Sequence, residues 1–155
     1  MKPLYHYTTA DRLAMILMAE KITPSATGVS FPAIPAVWLS TAADWEPTAT
    51  REIIEDGKTR RATLAEMIES AGALARIEID PRQIAIIEPL RLSERLRIQK
   101  MAFESLMNAA RNVGANPVGW RAVAGPIPLS AFLRIELSKE HDPLCWVDSA
   151  GLWNE

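Results

Sequence analysis

The side chain richest in chemistry near the start of the chain is His6, in the run Leu4-Tyr5-His6-Tyr7-Thr8-Thr9-Ala10-Asp11-Arg12-Leu13. An imidazole titrates near neutral pH, so at a strand end it can donate a ring hydrogen bond to a sugar hydroxyl or move a proton. It can equally be a sheet-edge histidine satisfied by backbone. Thr8 is either a ligand contact or the cap of the helix that follows. Ser40 and Thr41 close a short apolar run and offer hydroxyls to a ligand, or simply begin a loop. Asp44, Trp45 and Glu46 set an aromatic plate beside carboxylates. That pairing suits stacking on a planar ring while a carboxylate holds a sugar hydroxyl or a developing positive charge. The alternative is a loop anchored by one buried tryptophan.

These residues need elements to position them. Lys2 to Tyr7 reads as a short strand, and Thr8 with Asp11 three residues later is a capping-box pattern ahead of Leu13, Ile16 and Leu17. The helix is expected from about Thr9 to about Lys21. Proline, glycine and serine from Ser25 to Pro35 predict a long surface loop. Ala36 to Ser40 reads as a buried strand in which Trp38 and Leu39 face opposite sides. Pro47 keeps Asp44 to Glu46 out of a helix.

Further on, Thr63 and Glu66 form a second capping box that opens a helix towards Ser70, with Gly72 placed to end it. Leu74 to Ile79 and Ile84 to Ile87 read as strands. A long helix is expected from about Ser93 to Val113, with Gly114 as its stop. Trp120 to Ala124 and Leu133 to Leu137 are further strands. The tail, with Cys145-Trp146-Val147 and Gly151-Leu152-Trp153, is expected to pack as a last hairpin or strand. Strands and helices do not alternate regularly, so the fold class is α+β, in a single domain over residues 1–155.

Composition narrows the function. The hydrophobic fraction of 48% with 23% charged residues belongs to a folded protein. A net charge of -2 removes the global basic footprint of a dedicated nucleic-acid binder, although a local patch remains open. Arg91, Arg95, Arg97, Lys100 and Arg111 read as a solvated helix face beside Glu94. One cysteine, Cys145, and two histidines, His6 and His141, argue against structural zinc and against any resident metal. No leader or membrane-spanning segment is recognisable, so a cytoplasmic protein without a membrane partner is expected. No phosphate-binding glycine loop or serine-hydrolase elbow is present.

The stretch His6 to Leu17 resembles the opening of the ADP-ribosyltransferase-like fold of DNA-modifying ADP-ribosyltransferase toxins, where a strand gives His-x-Thr ahead of a helix carrying leucine and Ile-Leu. Trp120 to Leu129 resembles a later strand that leads through glycine to Ile-Pro. The resemblance implies a split, curved β-sandwich with peripheral helices and a nicotinamide-nucleotide cleft between the sheets. It implies NAD as the ligand and substrate, bound by His6, Thr8, Ser40 and Trp45. ADP-ribose would pass to a nucleic-acid or protein acceptor.

One departure matters. Where the family places its ribose-polarising glutamate, this chain has Trp120. A carboxylate from elsewhere, such as Glu46 or Glu136, would then fill the role, and His6 with Glu46 is the candidate catalytic pair. The alternative is a catalytically silent domain that uses the cleft or its tryptophans to bind a protein or nucleic-acid partner.

Overall fold

A computed structural model describes residues 2–25, 33–140 and 142–152. In chain order the elements are β1 (Leu4–Thr9), α1 (Ala10–Ala19), β2 (Lys21–Ile22), β3 (Val37–Ser40), β4 (Glu52–Glu55), β5 (Lys58–Arg61) and α2 (Leu64–Ala71). Then come β6 (Leu74–Ile79), α3 (Leu92–Arg95), α4 (Lys100–Asn112), β7 (Trp120–Val123), β8 (Ile127–Pro128), β9 (Phe132–Lys139) and β10 (Asp142–Asp148). The class is α+β. Six strands form one antiparallel sheet in the order β10-β9-β6-β1-β3-β7, and β2–β8 and β4–β5 form two small pairs.

Both faces of the sheet are covered, which is why β6 is buried along nearly its whole length. On one face Leu4, Leu39, Ala75, Ile77, Ile79 and Val123 pack with Leu13 of α1. On the other, Trp38, Trp120 and Ala122 meet Leu92 and Leu96 of the α3 segment and Phe103, Met107 and Ala110 of α4. A third cluster joins Met67 of α2 to Leu74, Trp45 and Trp146.

One irregularity positions the site. β1 pairs with β6 at every position from Leu4 opposite Ile79 to Thr9 opposite Leu74. Its pairing with β3 is confined to Tyr5 opposite Ser40. β3 meanwhile stays paired with β7 from Val37 to Ser40. Beyond Tyr5 and Ser40 the two strands therefore part, and side chains enter the gap.

Several expectations hold. Thr63 accepts the Glu66 amide at 3.1 Å while the Glu66 carboxylate accepts the Thr63 amide at 3.0 Å, a complete capping box for α2. Gly72 ends that helix at a φ of 90°, open to glycine without strain. β6 spans the expected residues, and β10 folds back on β9.

Others need correction. The cap of α1 is Thr9 rather than Thr8, and its hydroxyl donates to the Asp11 carboxylate instead of accepting a helix amide. Ile84 to Ile87 is not a strand. Ile84 and Ile86 pack on the first core and only Ile87 bridges Ala122, so apolar residues there serve burial without a ladder. The single helix expected over residues 93–113 is two. Arg97 adopts a φ of 55°, and the Ile98 and Arg97 amides donate to Ser93 and Glu94 carbonyls, which closes α3 as a Schellman motif. The polar stretch around Asp56 to Arg61 is half of a hairpin whose turn residues, Asp56 and Gly57, both have positive φ. Residues 26–32 of the expected loop, His141 and Trp153 lie outside the described residues.

Candidate functional site: a cleft where two strands part

The gap between β1 and β3 is a cleft of about 400 Å3. Tyr5, His6 and Tyr7 line it from β1, Trp38 and Ser40 from β3, Trp120 from β7 and Leu106 from α4, with Glu46 and Thr48 from the loop after β3. Three side chains singled out in the sequence, His6, Ser40 and Glu46, thus share one concavity.

His6 Nδ1 lies 3.1 Å from the Trp38 carbonyl. A carbonyl only accepts, so Nδ1 carries the proton and Nε2 carries the lone pair. Burial pushes the imidazole pKa below its ordinary value, partly offset by the bond to Trp38. The ring is therefore neutral at pH 7, with an acceptor nitrogen. The backbone-satisfied role and the cleft-lining role coincide in this one side chain.

Glu46 is only 7% exposed and is held by three donors. Ser40 Oγ donates to Oε2 at 2.6 Å, and the Thr48 hydroxyl and amide donate to Oε1 at 2.7 and 3.3 Å. The amide bond also caps the short 3-10 turn Pro47–Ala49. A carboxylate offers about four lone-pair directions, so a fourth donor can still approach Oε2. Ser40 is fixed in turn by accepting the Ala42 amide at 3.1 Å.

The loop carrying Glu46 is tied down through its carbonyls. The Tyr7 hydroxyl donates to Ala42, an Arg76 guanidinium nitrogen donates to Ala43, and Trp146 Nε1 donates to Asp44 at 3.0 Å. Burial pushes the Tyr7 pKa up to about 12, so its hydroxyl stays protonated as a donor. Arg76 is held by Glu136 at 2.6 Å and lies against the rings of Tyr5 and Trp146, 4.4 and 4.6 Å from their centres.

The remaining candidates sit elsewhere. Trp45 does not line the cleft. Its ring stacks on Trp146 at 6.5 Å and meets Tyr7 edge-on at 5.2 Å, while Nε1 donates to Thr50. That is the loop-anchor role. Thr8 is buried in β1 opposite Ala75 and faces an adjoining groove instead. Glu136 is engaged by Arg76 and does not line the cleft. Asp44 is exposed, as are Arg91 and Glu94, which pair with each other at 3.0 Å.

Trp120 stands opposite Ser40 in the ladder, buried, with its ring edge-on to Trp38 at 5.8 Å. The cleft wall there is aromatic.

The chain matches no family model, no curated protein and no solved structure. Its chemistry rests on the geometry alone. Among the described residues no group of three or more His, Cys, Asp or Glu side chains could hold a metal ion. Among them, too, no helix is long and apolar enough to cross a membrane. Sequence reading missed Tyr7, Thr48, Arg12 and Arg76. Arg76 and Tyr7 looked like ordinary strand residues, and Thr48 gave no signal until Glu46 was seen to cap its turn.

Proposed function

We propose that this chain is an NAD-binding protein with an ADP-ribosyltransferase-like fold, in which the parting of β1 from β3 is the split between two half-sheets. The observation that carries the reading is the meeting of His6, Ser40 and Glu46 around one aromatic cleft. A nicotinamide nucleotide needs those three features together: flat apolar walls for a ring, a neutral acceptor for a ribose hydroxyl, and a carboxylate near the sugar.

In this reading His6 Nε2 accepts a ribose hydroxyl, and the free lone pair on Glu46 Oε2 accepts another. Cleavage breaks the bond from ribose C1′ to the nicotinamide nitrogen, and the electron pair leaves with nicotinamide. Positive charge builds on the sugar and is stabilised by the Glu46 carboxylate, which Ser40 and Thr48 hold in place before the reaction begins. The acceptor then bonds to C1′ and gives up a proton.

The test is calorimetric titration of NAD into the wild type and the His6→Ala variant, with released nicotinamide followed by mass spectrometry. Saturable binding lost in the variant, with nicotinamide release, is the expected result. Absence of binding to the wild type overturns the reading.

A second reading is supported by Trp120. An indole cannot polarise a ribose as the family glutamate does, and its packing against Trp38 suits a domain that binds a nucleic-acid or protein partner without turning anything over. NAD binding without nicotinamide release selects this alternative.

A further inference from the structure

We propose that a groove adjoining the cleft binds the diphosphate of the ligand, so that the molecule recognised is a dinucleotide or nucleoside diphosphate rather than a nucleoside. The inference rests on the nucleotide reading of the cleft. The groove, about 230 Å3 in volume, shares Tyr7, Arg12, Thr48 and Ala49 with the cleft, so the two are continuous.

Its lining differs in kind from its neighbours. Arg12 and Arg51 stand among the hydroxyl groups of Thr8, Thr9, Thr48 and Thr50, and no carboxylate lines it. The cleft on one side has Glu46, and the cavity beyond Arg51 has Glu66 and Glu69. A cationic section thus lies between two carboxylate-bearing ones.

The two guanidinium groups are poorly engaged. Among the described residues that of Arg12 makes no ion pair or hydrogen bond. Arg51 reaches Asp11 at 4.0 Å and Ser70 at 3.4 Å, the far limit for each kind of contact. Asp11, the nearest acid, already takes the Thr9 hydroxyl and the Arg12 amide. The Thr50 oxygen accepts from Trp45 Nε1, which leaves its proton to donate. Two planar guanidinium forks and a hydroxyl suit the oxygens of a phosphoanhydride. With the ring half of the ligand against Tyr5, Trp38 and Trp120, its diphosphate falls to the arginines.

The experiment is an amide NMR titration of the full chain with inorganic pyrophosphate, in the wild type and in Arg12→Gln and Arg51→Gln, followed by NAD and nicotinamide riboside titrations of the same proteins. Saturable shifts at Thr9, Arg12, Thr50 and Arg51 are expected, weakened about tenfold by each substitution. NAD should lose a similar factor and nicotinamide riboside none. Unperturbed spectra away from the groove establish that each variant is folded. Absence of saturation in the wild type, or wild-type pyrophosphate affinity in both variants, overturns the groove. Pyrophosphate binding without NAD binding keeps the groove and removes the nucleotide reading, whereas NAD binding indifferent to both arginines does the reverse.

Discussion

Ser40 donates its hydroxyl to Glu46 Oε2 at 2.6 Å, and both side chains are buried. Five residues of loop separate them, so this bond fixes where the carboxylate stands relative to β3. Glu46→Gln replaces an oxygen with a donor that meets either the Ser40 hydroxyl or the Thr48 amide and removes the charge opposite the ribose. The expected outcome is NAD binding retained and nicotinamide release reduced by about 10²–10³, as measured by single-turnover assay. Ser40→Ala leaves the carboxylate short of a partner and is expected to lower unfolding free energy by about 1–3 kcal/mol in urea titration.

Arg76 and Glu136 hold the opposite side of the same loop. Their side chains are 11% and 10% exposed, and the pair sits at 2.6 Å. Removing Arg76 leaves the buried Glu136 with only the more distant Arg134, at 3.9 Å, so Arg76→Met should cost about 3 kcal/mol in denaturant titration. The double variant Arg76→Met with Glu136→Leu should recover much of that loss. Equal destabilisation in both would show that the Ala43 carbonyl and the two aromatic rings, not the charge pair, carry the effect.

The pH dependence of stability has a sign set by His6. Its folded pKa lies below the ordinary 6.5, so the unfolded chain binds the proton more tightly. Stability from this group is complete above the unfolded value and is lost as pH falls towards the folded one. Unfolding free energy should therefore decline as pH falls through and below the ordinary 6.5, and His6→Asn should flatten that slope. Asp80 and Glu66, whose pKa values are lowered to about 2, release their contributions only in more acid solution, below their ordinary 3.8 and 4.5. An unchanged slope in His6→Asn would contradict the assignment.

Trp45 separates ligand stacking from anchoring. Phenylalanine keeps an aromatic ring against Trp146 and Tyr7 but loses the bond to Thr50. Trp45→Phe should cost about 1 kcal/mol of stability and leave NAD affinity unchanged by calorimetry. Weakened binding with unchanged stability would return Trp45 to the ligand.

What the sequence disclosed and what it hid follow from the range of the interactions. α2 was legible because a capping box is a local device, and β6 because Ala75, Ile77 and Ile79 recur at every second position between Arg76 and Glu78. Ser40 was legible as the polar close of an apolar strand, whereas His6, expected at a strand end, lies inside β1. The hairpin at Asp56-Gly57 carried a local turn signal, but charged flanks such as Lys58-Thr59-Arg60-Arg61 masked it. The break at Arg97 was invisible to helical periodicity because the Leu96 carbonyl bonds the distant Ile34 amide at 2.8 Å. Trp45 was misplaced for the same reason: its stacking partner, Trp146, comes from the last strand of the sheet. Nothing local marks the point where β1 leaves β3, and the cleft depends on that departure.

The most direct measurement is a crystal structure of the protein grown with NAD. The account predicts a nicotinamide nucleotide between β1 and β3, with ribose hydroxyls on His6 and Glu46 and its diphosphate towards Arg12 and Arg51. An empty cleft at saturating NAD, or NAD seated elsewhere on the molecule, would contradict it.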